Sequence, residues 1–352
     1  MPLCYLSRVS ARRLPSVIMR LIATEEAFAP VEYIDAYLRL AERIDTPASR
    51  YLAAYYGRPE FARELTDLDW RLAEMDRLGV DMHLLGIAGP GVQAFDAPLG
   101  AELATIANDT LAAAIARRPT RYAGLAAVAP QDPAAAAREV ERAMRALKLN
   151  GLLINSHTHG EYLDDPKFWP ILESAVAFDA PLYLHPNFPA DAMAAPFSRY
   201  GMAGALWGFG ADASLHAVRM ILGGVFDAFP DLKIVLGHLG EALPFWLARM
   251  DNRYTNIRRR GLSPIGPKPL ELLPSEYFAR NFWITTSGMT TQPPLDFCLE
   301  VVGEDRIMFA IDYPYERSAD AVGFVRALPL PATTLRKLTH ANAEALFGIA
   351  PV

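Results

Sequence analysis

Four side chains able to bind a metal or move a proton stand at the ends of apolar runs. Glu25 closes the run from Leu21, His185 the run from Pro181, His238 the run from Lys233 and Asp312 the run from Ile307. Two carboxylates and imidazole nitrogen suit a hard or borderline divalent ion such as Mn²⁺, Zn²⁺ or Mg²⁺, and so small a donor set leaves positions open for water or substrate. Each residue alone says little, because a single strand-end histidine is often structural and a single aspartate often caps a helix. Their shared position, at the carboxyl ends of separate strands, carries the signal. Asp312 is the clearest case: Arg306 to Glu316 is apolar on both faces until the acid, and Pro314 then stops strand pairing.

Positioning four such groups on one rim requires a repeating unit. Apolar runs that end on a polar residue or a turn predict eight strands: Leu21–Glu25, Val80–Ile87, Tyr122–Val128, Gly151–Asn155, Pro181–His185, Lys233–His238, Phe282–Thr286 and Ile307–Asp312. Helix-period segments separate them, among them Leu68–Leu78, Ala101–Arg117, Pro133–Leu147, Pro166–Phe178, Ser214–Phe229 and Leu243–Arg258. Strand and helix in alternation argue for a parallel sheet, and eight strands close a (β/α)₈ barrel whose active site lies at the strands' carboxyl ends. The expected fold is therefore α/β, a distorted TIM barrel. Two long segments interrupt the alternation, Pro30 to Asp67 after the first strand and Asn187 to Ala213 after the fifth; both read as caps over that rim.

Other candidates carry less. His157-Thr158-His159 lies past the fourth strand in a loop, near the mouth but without fixed ligand geometry. His83 reads as a packed core residue, and His216 and His340 as structural residues of helices. Gly89-Pro90-Gly91 and Gly208-Phe209-Gly210 lack the full dinucleotide fingerprint and read as turns. Arg249 reads as a surface or interface ion-pairing residue. Pro264 to Pro274 reads as an extended excursion.

Composition bounds the rest. With 352 residues and 52% hydrophobic content, the chain can bury a large core. A net charge of −6 and the lack of a basic stripe exclude a nucleic-acid footprint. No apolar run is long enough for a membrane span. Cys4 and Cys298 supply neither a disulfide framework nor a zinc spacing, so a cytoplasmic setting is the default. Residues 1–18 are basic but lack an apolar core and read as a peripheral extension before a single barrel domain of residues 19–352.

The motifs also carry a family likeness. Thr24-Glu25-Glu26-Ala27-Phe28-Ala29, Leu184-His185-Pro186, Val235-Leu236-Gly237-His238-Leu239-Gly240-Glu241, Thr285-Thr286-Ser287-Gly288 and Ile311-Asp312-Tyr313-Pro314 resemble the metal-dependent decarboxylase branch of the amidohydrolase superfamily. Within it the chain resembles the decarboxylases of 2,3-dihydroxybenzoate, γ-resorcylate and similar ortho-hydroxybenzoates, over about residues 20 to 350. The resemblance implies one divalent metal held by Glu25, His185 and Asp312, with His238 facing the substrate and paired with Glu241, and no organic cofactor. It also implies a homodimer or homotetramer acting on a small aromatic acid.

The reaction so implied is reversible decarboxylation to the phenol and CO₂, with Asp312 donating a proton to the ring carbon and His238 and Glu241 holding the phenolic hydroxyl. Expected pocket residues are Phe28, Asn155, Phe188, Trp207, Phe209 and Tyr313. Ala27 departs from the family pattern, in which many members carry histidine two residues after the first carboxylate. Two rival readings stand beside this one: a metal-dependent hydrolase or hydratase acting on a lactone or ring-derived acid, and a metal-free barrel serving as a binding module, motivated by Ala27.

Overall fold

Eight strands pair in parallel in chain order and form one sheet. They are β1 (Ile22–Phe28), β2 (Met82–Ile87), β3 (Tyr122–Ala127), β4 (Gly151–Asn155), β5 (Leu182–His185), β6 (Ile234–Leu236), β7 (Phe282–Thr285) and β8 (Ile307–Met308). The computed structural model describes residues 19–261 and 269–351. The basic stretch 1–18, Cys4 and the first half of the Pro264–Pro274 excursion lie outside the described residues.

The sheet curls until its first and last strands meet. Thr24 N–H donates to Phe309 O at 3.1 Å and Ala27 N–H to Tyr313 O at 2.8 Å, so the barrel closes although β8 is only two residues long. The expected eighth strand to Asp312 is thus too long: its ladder stops at Met308 and the chain continues irregularly along β1. The pairing of β1 with β2 shifts by one residue between Ala23 and Glu26. Such a bulge locally twists and re-aims a strand, and here it falls on the segment that carries both glutamates.

The helices start where the chain provides caps. Asp67, Asp96 and Asp132 each accept a backbone N–H three residues on, from Trp70, Leu99 and Ala135. Pro133 occupies the first turn of the third of these helices, where its missing N–H costs nothing. That helix, Pro133–Arg145, buries Ala136, Val140 and Ala143 against the sheet. Arg138, Glu141 and Arg145 on its other face are exposed. This is the 3.6-residue stripe that predicts it.

Both expected caps are helical. Val31–Ala41, Pro47–Tyr56 and Pro59–Thr66 follow β1, and Asp191–Phe197 follows β5. Rings of Tyr33, Tyr37, Tyr56 and Phe95 pack together under the first cap. The helix expected over Ser214–Phe229 is instead two, Gly208–Leu222 and Val225–Ala228, broken where Gly224 turns to a φ of 78°. Gly208-Phe209-Gly210, read above as a turn, forms the first turn of the longer helix. Among the described residues no helix is long and apolar enough to cross a membrane.

Candidate metal centre and active site

Glu25 on β1, His185 at the end of β5 and Asp312 after β8 converge at the carboxyl end of the barrel. One ligand atom from each lies within 4.8 Å of the others, and among the described residues this is the one such group of metal-binding side chains. Each is oriented by neighbours. Tyr183 O–H, Thr285 O–H (2.8 Å) and Ser287 O–H all donate to Glu25 Oε2. The other oxygen, Glu25 Oε1, is buried and has no hydrogen-bond partner. His185 Nδ1 lies 2.9 Å from Pro186 O, which fixes that nitrogen as the donor and leaves Nε2 free, 3.8 Å from Glu25 Oε1. A carboxylate oxygen and an imidazole nitrogen, both desolvated and both aimed at one point beside a second carboxylate, fit a divalent cation.

Gly237 makes room for this arrangement. A Cβ on it would lie 2.6 Å from Glu25 Oε1 and 2.7 Å from Oε2, so any side chain there would displace the carboxylate.

The second half of the site rests on a left-handed turn. From His238 to Ala242 every φ is positive: 49° at His238, 54° at Leu239, 77° at Gly240, 53° at Glu241 and 62° at Ala242. Such conformations cost non-glycine residues roughly 1–2 kcal/mol each, so the surroundings must hold the turn. His238 N–H donates to Ser287 Oγ at 2.9 Å, and Gly240 N–H returns to Gly237 O at 2.7 Å. His238 Nδ1 lies 2.8 Å from Glu241 Oε1, and Nε2 lies 3.4 Å from Asp312 Oδ2. The sixth strand was expected to reach His238; its ladder ends at Leu236 and His238 belongs to this turn.

The charges interlock. Burial lowers the basicity of the His238 imidazole, but Glu241, Glu25 and Asp312 outweigh it and hold it well above the ordinary histidine range. Burial opposes ionisation of Glu25, yet His238, His185 and the hydroxyls of Ser287 and Tyr183 hold its carboxyl below the usual value. His185 is held down, chiefly by burial. Asp312 is pushed up, first by burial and then by the Glu25 charge. A buried carboxyl whose ionisation is opposed, 3.4 Å from an imidazole held charged, is a pair able to pass a proton.

The expected pocket residues fall in different places. Phe188 lines a cavity of about 350 Å³ between the two caps, together with Tyr37, Leu52, His157 and Asn187. Its ring meets Tyr51 and Phe209 edge-on. Asn155 is fully buried at the end of β4, its side-chain amide close to Gly89 and Gly91. Phe28 is buried at the end of β1. The Tyr313 ring lies under the Arg71 guanidinium at 4.6 Å and near His83, behind the metal group. Trp207 is 66% exposed at the start of the helix Gly208–Leu222.

His157 and His159 pin loops. His157 Nε2 reaches Phe188 O and its Nδ1 accepts from Gly160 N–H, while His159 Nε2 lies 3.3 Å from Phe95 O. His216 accepts Leu163 N–H at Nε2 and meets Ser156 Oγ through Nδ1. Arg249 is exposed.

Sequence reasoning missed Tyr183, Gly237 and the roles of Thr285 and Ser287. Tyr183 had a signal: it stands two residues before His185 on β5, hence on the same strand face. The other three lie in the motifs that carry the family likeness, Val235 to Glu241 and Thr285 to Gly288, but their spacing assigned them no role.

The amidohydrolase family model matches residues 34–349. A γ-resorcylate decarboxylase of Polaromonas is 37% identical over 301 residues, covering 83% of this chain and 90% of its own. The crystal structure of a 5-carboxyvanillate decarboxylase from Sphingomonas paucimobilis superposes with a TM-score of 0.90 at 48% identity, covering 94% of this chain and 100% of that one. A 5-carboxyvanillate decarboxylase from Novosphingobium aromaticivorans, solved with manganese and 4-hydroxy-3-methoxy-5-nitrobenzoic acid, gives a TM-score of 0.90 at 40% identity over 94% of this chain and 96% of that one.

Proposed function

The chain belongs to the amidohydrolase family, and we propose that it is a manganese-dependent decarboxylase of a benzoate bearing a hydroxyl ortho to its carboxylate. The observation that carries this reading is the group Glu25, His185 and Asp312, oriented for a divalent ion, with His238 and Glu241 beside Asp312. A bound metal supplies Lewis-acid stabilisation of anionic oxygen on the substrate.

The chain's own residues then divide the work. His238, kept charged and held at Nδ1 by Glu241, presents its Nε2–H to the phenolic oxygen and to Asp312. Asp312 gives its proton to the ring carbon that bears the carboxylate, forming a C–H bond. The C–C bond then breaks, its electron pair restores the aromatic ring and CO₂ departs. Asp312 is left as a carboxylate beside the imidazolium, which returns a proton across 3.4 Å and takes up another from solvent before the next turnover. Run backwards, the same groups carboxylate a phenol. The caps keep water from the ring and give the substituents room in the cavity behind Phe188.

The test is to incubate the manganese-loaded protein with 2,6-dihydroxybenzoate, 2,3-dihydroxybenzoate, salicylate and 5-carboxyvanillate, and to measure CO₂. Release from at least one, lowered about 10²- to 10⁴-fold by Asp312→Asn, supports the reading. Lactone hydrolysis with no CO₂ from any acid would replace it with the hydrolase alternative. A homo-oligomer is part of the same proposal, supported by the exposed aromatic group Phe245, Trp246 and Phe297; light scattering on purified protein checks it.

A further inference from the structure

Asp312 must hold a fixed position although the strand that delivers it has ended. The β8 ladder stops at Met308, and Asp312 has a φ of 75°, a left-handed conformation that an aspartate adopts at a cost of roughly 1–2 kcal/mol. Side chains of neighbouring strands replace the missing ladder. Thr24 Oγ1–H donates to Phe309 O at 2.9 Å. Thr286 Oγ1 accepts Ala310 N–H at 3.1 Å. At the acid itself the replacement comes from Glu26: Oε1 accepts Ile311 N–H at 2.9 Å and Oε2 accepts Tyr313 N–H at 3.0 Å.

Glu26 therefore brackets Asp312, with one oxygen on the residue before it and one on the residue after. Its own placement is fixed from behind. Glu26 is 2% exposed, and Arg71, fully buried, donates to Ala27 O and Glu64 O while lying over the Tyr313 ring. Burial pushes the Glu26 carboxyl up to about 8, while its two amide donors and the Arg71 charge pull the other way. Successive residues of a strand point to opposite faces, so Glu25 enters the metal group while Glu26 turns to the chain that carries its partner.

We infer that Glu26 is a positioning residue for Asp312: its two carboxyl oxygens bridge the amides of Ile311 and Tyr313 and so set the distance of the Asp312 carboxyl from Glu25 and His185. This rests on the metal-dependent reading of the site. A glutamine at position 26 keeps the shape but turns one acceptor into an NH₂ donor that faces a backbone N–H, so one arm of the bracket opens.

The test is a double-mutant cycle read by Mn²⁺ affinity, measured by competition with a fluorescent chelator. Glu26→Gln alone is expected to weaken Mn²⁺ about tenfold or more, the range seen when groups that orient metal ligands are removed. Placed on Asp312→Asn, the same change is expected to have little further effect, since the group it positions no longer ligates as a carboxylate. Equal weakening in both backgrounds, or none in either, would overturn the inference, because a purely structural role would act on the fold regardless of residue 312. If Glu26→Gln does not fold, Glu26→Asp, which still reaches one amide, takes its place in the cycle. CO₂ release is measured separately. Strong coupling with no decarboxylation would keep the positioning role and reject the reaction; decarboxylation without coupling would do the reverse.

Discussion

Removing the Tyr183 hydroxyl isolates how the barrel interior prepares Glu25 for a metal. Tyr183→Phe keeps the ring in a site with no solvent exposure, so packing changes little. It deletes one of the three hydroxyl donors on Glu25 Oε2 and leaves Thr285 and Ser287 in place. A hydrogen bond to a charged group contributes about 1.5–3 kcal/mol. That figure is a ceiling, because Thr285 and Ser287 still donate to the same oxygen. The remaining freedom lets Glu25 rotate and turn Oε1 away from the point it shares with His185 Nε2. Loss of such orienting contacts weakens metal binding about 10- to 100-fold, and the lower half of that range is expected here. Mn²⁺ titration against a chelating dye, with unfolding followed in parallel, measures it. Unchanged Mn²⁺ affinity with an intact fold would refute the idea that the hydroxyls orient Glu25. A large loss of stability would instead show that Tyr183 serves the core.

Gly237→Ala should abolish tight Mn²⁺ binding while leaving the local backbone unstrained, because Gly237 has an ordinary φ of −68° and its only conflict is with Glu25; wild-type affinity in this variant would mean the glycine is incidental. Chelation should lower the unfolding temperature and Mn²⁺ should restore it, since metal at about 100 times its Kd adds about 2.7 kcal/mol to the native state; scanning calorimetry with and without chelator decides. His216 should make the protein acid-sensitive. Burial, with the charges of His157 and Arg219, pushes its imidazole down to about 3, against about 6.5 in the unfolded chain. Its stabilisation is complete above the unfolded value and falls by about 1.4 kcal/mol per pH unit below it. Between pH 6.5 and 4.5 the stability gap between wild type and His216→Gln should shrink by about 2.3 kcal/mol, and a gap that stays constant in urea titrations would show that the folded imidazole titrates normally.

The fold was readable because its signals are local. Apolar runs ending in Glu25, His185 and Asp312, with capped amphipathic helices between them, are repeated instructions, and each places a strand though not always its last residue. Reading failed where distant parts of the chain replace a local rule. Asp312 was expected on a strand because its run is apolar, but Glu26, Thr24 and Thr286 hold that run by its backbone in place of a ladder. The turn from His238 to Ala242 defeats propensity, since four of its five residues are not glycine and only tertiary contacts keep them left-handed. Trp207 was expected in the pocket for its size alone, and size does not say which way a cap residue faces.

The closing of the barrel by side chains has a consequence for how the protein forms. Contacts between β1 and residues 309–313 join the two ends of the chain, and pairings of such sequence separation come late, because most of the entropy of closing the intervening chain must already be spent. Glu25 belongs to the first of the eight barrel strands to be synthesised and Asp312 follows the last of them. A partly made or partly folded chain therefore holds the two carboxylates apart and has no place to gather a cation, and metal capture becomes a mark of a finished barrel.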